Sequence, residues 1–457
     1  MAESAKARKL PKAAWVIPIV LLLALVVLTA LFGARFYTIL GNNALEGGDL
    51  VSARRAYSRS IRMSTFFGNA DARVNALRKL IEVEAQLGLE TSVERCRQLR
   101  ALLEKTGAED EEIAEVIGRE AWLLAKSGRT EMATVCARDA TKLDEECPNA
   151  LHALGLVSLA NENDMKAVEY FERAIYSAKQ RNSGHLAEHF FARALAEIRI
   201  DNFRRAQRDL ELAVESGKTD RRTWQLLVKC YIKLQELSKA LNAAERAIHQ
   251  DEGFSAMYFN AASVLLAQGE FAAALQMLEK PQAKKADFTE AGITYAVSCH
   301  CNGIFDKARR FYARGYPADP EFAALAYSLT LLENAEAEID VPMEWPETAR
   351  GRFFFRAVTG EYDDIAASDF IALADLKEIS EERYAAQLDE LGLGYLAQEE
   401  GLPVAWEELM FALGARLACI GRTAHAKELL ERVARSQKYF YWCYPLSLWY
   451  SARLEQK

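Results

Sequence analysis

Five residues carry the sharpest chemistry in the sequence: His185-Leu186-Ala187-Glu188-His189. Two imidazoles four positions apart share one helical face, and such a pair can hold a zinc ion. The glutamate beside them stands where a general base would take a proton from metal-bound water. A catalytic zinc needs a third protein ligand, and no specific one can be picked out along the chain. A second cluster, Cys299-His300-Cys301, has ligand types at the wrong spacing. Residues one and two apart point about 100° and 200° around a helix, so these three cannot converge on one ion. Core packing of the cysteines is the expectation there. The run Gly392-Leu393-Gly394-Tyr395-Leu396-Ala397 fits G-x-G-x-x-A, but it follows a charged helical stretch instead of a strand. Without a βαβ unit around it, it does not cradle a nucleotide.

The elements that would position these residues are helices. The chain has 457 residues, 51% of them hydrophobic and 27% charged, with only 10 prolines and 24 glycines. That suits a long, mostly helical array or several domains, not a disordered chain. A net charge of −8 gives no reason to expect nucleic acid as a partner. The eight cysteines form no C-x-x-C pair and read as small apolar fillers between helices.

Residues 13–34 contain no charged side chain and are rich in Leu, Val and Ile. At about 1.5 Å per residue the run is long enough to cross a hydrocarbon core of about 30 Å. Trp15 at one end, with Phe36 and Tyr37 at the other, suits the two interfaces. A cleaved signal peptide fits less well, because no A-x-A site closes the run. Lys6, Arg8, Lys9 and Lys12 precede it and only Arg35 follows closely, which keeps the basic tail 1–12 in the cytoplasm. In a bacterium the expectation is a single-pass inner-membrane protein with a periplasmic C-terminal part. Arg54, Arg55, Arg59 and Arg62, and the cysteines, count against that topology. A cytosol-facing adaptor with inverted topology is the alternative.

Beyond the run, one pattern recurs. In Pro148–Lys179, Leu151, Leu154, Gly155 and Ser158 form the buried stripe of a first helix. Asn161 to Asp164 make a turn, and Ala167, Phe171 and Ala174 form a small–large–small stripe on a second helix. The key first-helix position recurs as Ala121, Gly155, Ala194, Val228, Ala262 and Ala296, in steps of 34, 39, 34, 34 and 34 residues. The second helices track it with Ala133, Ala167, Ala206, Ala240, Ala274 and Ala308. An insertion around Gln180–Gly184 explains the long step. Earlier, Gly41 and Tyr57 repeat the template, and later Gly414 and Leu430 do so. A longer unit, with helices near Asn69–Leu87 and Thr91–Lys105, separates the first copy from the regular ones. Pro342 and Pro346 break the period. The aromatic tail, from Tyr439 to Leu454, reads as a capping helix.

This pattern resembles the tetratricopeptide repeat, a helix–turn–helix unit of about 34 residues, here of a membrane-anchored bacterial type. The resemblance implies an all-α solenoid: a TPR-like array over 35–340, a Pro-containing loop at 341–350, and a TPR-like region over 351–457. It also places His185 and His189 at the start of a repeat's first helix. The H-x-x-E-H spacing matches inverzincin metallopeptidases, so a zinc peptidase using His185, Glu188 and His189 stands as the catalytic alternative. The expectation for these residues is a solvated helix surface, with no catalysis, no metal and no cofactor.

What the family resemblance implies instead is a binding groove on the concave, first-helix face. Its equivalents are Trp122, His152, Leu156, Phe191, Leu195, Gln225, Lys229, Phe259 and Ser263. Some members clamp a C-terminal carboxylate with a lysine and two asparagines. That lysine position holds Gly118, His152, Phe191, Gln225, Phe259 and Ile293 here, so the chaperone-tail clamp is absent. The groove suits an extended or helical peptide, and the implied function is a scaffold or assembly factor for a membrane or envelope complex.

Overall fold

The computed structural model describes residues 32–182, 184–280, 288–315, 319–333, 348–364, 406–436 and 443–456. Among them every regular element is a helix, and the chain divides into two compact units, Met1–Lys218 and Thr219–Lys457. The division falls inside the span that the sequence reads as one array.

The first unit contains α1 (32–46), α2 (Leu50–Phe66), α3 (Ala70–Gln86), α4 (Thr91–Thr106) and α5 (Asp110–Lys126). It continues with α6 (Thr130–Leu143), α7 (Pro148–Ala160), α8 (Asp164–Gln180), α9 (Leu186–Arg199) and α10 (Phe203–Glu215). Each helix packs on its chain neighbour, and α5 also packs on α7, the first helix of the next pair. Short connections and amphipathic faces force this arrangement, because one pair alone leaves an apolar face open to water. Helix starts are fixed locally: the side chain of Asn69 accepts from Ala72 N at 3.0 Å, and Pro148 opens α7.

The repeat positions explain the pairing. Ala121, Ala194, Val228, Ala262 and Ala296 are fully buried, as are the six second-helix alanines. At Gly155 a Cβ would lie 2.5 Å from the Phe171 ring, and at Gly41 it would meet the Tyr57 ring at the same distance. In these two repeats the first-helix glycine seats an aromatic ring sixteen residues further on; at Gly414 the residue met at that offset is Leu430, 3.0 Å away.

The second unit contains α11 (Arg221–Lys233), α12 (Leu237–Gln250), α13 (Ser255–Ala267), α14 (Phe271–Glu279), α15 (Phe288–Cys301) and α16 (Phe305–Gly315). Then follow α17 (Pro320–Glu333), α18 (Ala349–Thr359), α19 (Trp406–Cys419), α20 (Thr423–Arg435) and α21 (Cys443–Gln456). Helix α21 lies against α15, α19 and α20, burying Tyr444, Leu446, Trp449 and Tyr450. It covers the apolar faces that those helices would otherwise leave open.

No helix among the described residues is long and apolar enough to cross a membrane. Of the expected span 13–34, residues 13–31 lie outside the described part, while 32–34 begin α1. Also outside it lie Pro342, Pro346 and the Gly392–Ala397 run.

Candidate functional site

The H-x-x-E-H residues are not the solvated face that the sequence suggests. His189 is fully buried, and its Nδ1 lies 2.7 Å from Nδ1 of His152, itself only 2% exposed. One ring donates the proton and the other accepts it. The reason is register: α9 packs beside α7, and position 189 faces the groove position 152. Trp122 of α5 closes the layer, with ring centroids 4.3 Å from His152, 5.3 Å from His185 and 5.9 Å from His189. His185, half-buried, precedes the first turn of α9. Three imidazoles thus gather around one indole. Among the described residues no group of three His, Cys, Asp or Glu is placed to hold a metal ion.

Burial decides the charge of this layer. It holds His152 well below the ordinary histidine value, and the neighbouring His189, Arg119 and His185 push the same way. Burial lowers His185 to about 4 and His189 to about 3, with Arg119 adding to both. All three rings are neutral at pH 7.

Beside this layer is a cavity of about 890 Å³. It is walled by α3, α4, α5, the start of α7 and the connection into α9. Trp122, His185 and Glu188 line it, so part of the histidine motif faces a real opening. Two further residues lining the cavity matter more. Arg119 lies over the Trp122 ring, its guanidinium carbon 4.1 Å from the centroid. Its Nε is buried and has no hydrogen-bond partner, and burial lowers its pKa. Asn149 is 3% exposed; its Nδ2 donates to the Glu115 carbonyl at 3.4 Å, while its buried Oδ1 has no partner. Two other cations of the cavity lining, Arg181 and Arg78, behave differently. Arg181 pairs with Asp144 at 2.6 Å and with Glu111 at 2.8 Å, and Arg78 pairs with Glu112.

Sequence reading did not single out Arg119 or Asn149. Arg119 directly follows Gly118, the position of the absent clamp lysine. Gly118 is where α5 touches α7: a Cβ there would lie 2.7 Å from Ala150 N. A charge one residue beyond a buried glycine, on the face bearing Trp122, was the available signal.

The remaining groove positions divide. In the first unit, Leu156 is half-buried against Phe171, and Phe191 is half-buried against Ile175 and Phe190, with the Lys218 ammonium 4.8 Å above its ring. Leu195 is half-buried. In the second unit, Gln225 and Lys229 are exposed and Ser263 is half-buried, while Phe259 belongs to the core around Tyr258 and Ala262. Trp122 and His152 are likewise buried, so these aromatic positions of the expected groove serve packing between repeats as well as any surface.

The second cluster is core throughout. Cys299, His300 and Cys301 are all buried, because α15 is covered by α13, α14, α16 and α21. His300 sits among Phe305, Tyr312, Trp449 and Tyr450, and burial lowers it to about 3.

The comparisons agree with the repeat geometry. Residues 95–251 match a family model for ChAPs (Chs5p-Arf1p-binding proteins). Solved structures similar to this chain include YrrB, a TPR protein with an unusual peptide-binding site, at 22% identity. That match covers 36% of this chain and 82% of YrrB, with a TM-score of 0.32. The P58(IPK) TPR domain covers 93% of this chain and 98% of its own at 12% identity and a TM-score of 0.28. The helix pairs described above are similar to those of these tetratricopeptide structures. PilF of Pseudomonas aeruginosa, at 16% identity, covers 48% of this chain and 96% of its own with a TM-score of 0.39. None of these overlays reaches a TM-score of 0.5, so none assigns a ligand. No curated protein matches this chain.

Proposed function

We propose that this chain is a protein-interaction scaffold that works by binding and not by catalysis, and that the cavity of its first unit receives a carboxylate-bearing segment of a partner protein. The observation that carries this reading is that Arg119 and Asn149, which both line the cavity, each hold a buried polar atom without a hydrogen-bond partner, Nε and Oδ1. A buried donor or acceptor left unpaired costs about 1–3 kcal/mol, and more when charged. A ligand that supplies both partners recovers that cost on binding. A guanidinium calls for a carboxylate, an amide oxygen calls for an N–H, and a peptide carries both. Trp122, under the Arg119 guanidinium, adds an apolar surface to the same lining. Acidic side chains also line the cavity, Glu82, Glu115 and Glu188 among them. That mixture disfavours a polyanion such as nucleic acid and suits a single carboxylate.

We further propose that the uncharged run 13–34 anchors the chain in a membrane, in a bacterium with the described units on the periplasmic side. The basic residues ahead of the run support that direction.

The binding reading is tested with a displayed peptide set containing acidic and neutral sequences, each with a free and an amidated C-terminus. The intact chain should select carboxylate-bearing peptides, and the two kinds of terminus tell a side-chain carboxylate from a terminal one. Arg119→Met should weaken the selected peptides about tenfold or more, the usual worth of a hydrogen bond to a charged group. Equal selection of neutral amidated peptides, which carry no carboxylate, and of carboxylate-bearing ones sinks the proposal.

A further inference from the structure

Among the described residues, the first hairpin presents a surface of unusual composition. On α1, Phe32, Phe36, Ile39 and Leu40 are 55%, 56%, 57% and 42% exposed. They recur at i, i+4, i+7 and i+8, one face of the helix, with exposed Arg35 at its border. On α2, positions 51, 55, 59, 62 and 66 fall within about 80° of arc. Val51 and Phe66, at the two ends of that face, are 50% and 82% exposed. Between them stand Arg55, Arg59 and Arg62, all exposed. The two faces adjoin, since the Arg59 guanidinium lies 5.9 Å from the centroid of the Tyr37 ring. The opposite side of the hairpin is sealed: Ser60 Oγ donates to the Ala34 carbonyl at 2.8 Å, and Tyr57 OH donates to Asn42 Oδ1 at 2.8 Å.

Charge sets this surface apart as well. Between residues 32 and 66 five arginines stand against two acids, Glu46 and Asp49, in a chain whose net charge is −8. Arg54 is paired with buried Glu84 at 3.0 Å. Arg35, Arg55, Arg59 and Arg62 make no ion pair among the described residues. Large apolar side chains interleaved with unpaired arginines are the composition of an interfacial surface that meets anionic headgroups.

We infer that the exposed face of α1 and α2 lies on an anionic phospholipid surface, with Phe32, Phe36, Ile39 and Phe66 in the headgroup–acyl boundary and Arg55, Arg59 and Arg62 on lipid phosphates. This rests on the anchored reading in one respect, that the uncharged run 13–34 delivers α1 to the bilayer. A second copy of the chain fits the surface less well, because four unpaired arginines on each side would repel. Seated in this way, the first unit is held against the membrane by its first helix pair.

The full chain is tested in vesicles of phosphatidylcholine alone and of phosphatidylcholine with phosphatidylglycerol. A spin label at Thr65→Cys reports depth through its accessibility to oxygen and to a water-soluble nickel chelate. The inference expects oxygen contact in the phosphatidylglycerol vesicles, loss of that contact in R55E/R59E/R62E, and retention in R55K/R59K/R62K. If the protein floats with both vesicles while the label stays in water, anchoring stands and the docked surface falls. If it floats only with phosphatidylglycerol vesicles, and the triple reversal cuts partition about a hundredfold, as three cations near an anionic surface predict, docking stands and anchoring falls. A label equally immobilised in lipid-free detergent points to a protein contact and overturns the inference.

Discussion

Gly155 and Phe171 show how much one methyl group decides. The ring occupies the space of the missing side chain, so Gly155→Ala forces a Cβ to within 2.5 Å of it. Overpacking of this kind costs about 1–3 kcal/mol, more than the gain in helix propensity of about 1 kcal/mol. The other repeats supply the remedy, since Ala194 and Ala262 stand where the bulky partner sixteen residues on is Leu210 or Leu278, all of them fully buried. The double variant Gly155→Ala/Phe171→Leu should therefore recover most of the loss in a urea titration. An additive pair of losses would show that the two positions do not share one space. This complementarity was legible in the sequence, because it is written as small and large residues at fixed offsets. Arg119 and Asn149 were not, because an orphaned polar atom is a property of what surrounds it. The same holds for His189, whose partner His152 lies 37 residues away.

At the scale of the element, the turns carry a regularity that hydrophobic spacing does not display. Left-handed backbone recurs at Gly128, Glu162, Asp201, Gln235, Gly269 and Gly303, in the same steps as the helix register. Three of these residues have a Cβ in a conformation that favours glycine, with φ of 58° at Glu162 and 62° at Gln235. Each costs about 1 kcal/mol relative to glycine, since the Cβ crowds the following carbonyl. Glu162→Gly should thus raise unfolding stability by up to about 1 kcal/mol, less the entropy that glycine returns to the unfolded chain. A clear loss of stability would mean that the Glu162 side chain holds the turn by contacts of its own. Helix positions were legible in the longer unit: the expected pair near Asn69–Leu87 and Thr91–Lys105 is observed as Ala70–Gln86 and Thr91–Thr106. The division at Lys218 was not legible, because the period runs through it unchanged and packing alone decides where a unit ends.

At the scale of the whole molecule, the two units differ in how acid reaches them. In the first, His152, His185 and His189 are all depressed, the latter two to about 4 and about 3. A base whose folded pKa is depressed contributes stability that is present above its unfolded value of about 6.5 and is lost as pH falls toward the folded one. Glu197, raised by burial, acts in the opposite direction. In the second unit His300 acts in the same direction, lowered to about 3. Opposing it is Glu408, which burial raises to about 7 although Arg350 lies 2.8 Å away; Asp319 and Glu321 face the same arginine and add to the rise. An acid with a raised pKa contributes stability that is full below its unfolded value and is lost as pH rises through the folded one, so the Glu408 contribution by itself grows on acidification from pH 7. The two contributions in the second unit nearly cancel between pH 6.5 and 4.5, while those in the first accumulate. Hydrogen exchange corrected for intrinsic rates should show core amides of α5, α7 and α9 losing protection on going from pH 7 to pH 5, by up to about 1 kcal/mol per histidine per pH unit. Amides of α15, α19 and α21 should change much less, and Glu408→Gln should make them lose protection instead. Parallel losses in both units would show that the histidine layer around Trp122 is not what makes the first one sensitive to acid.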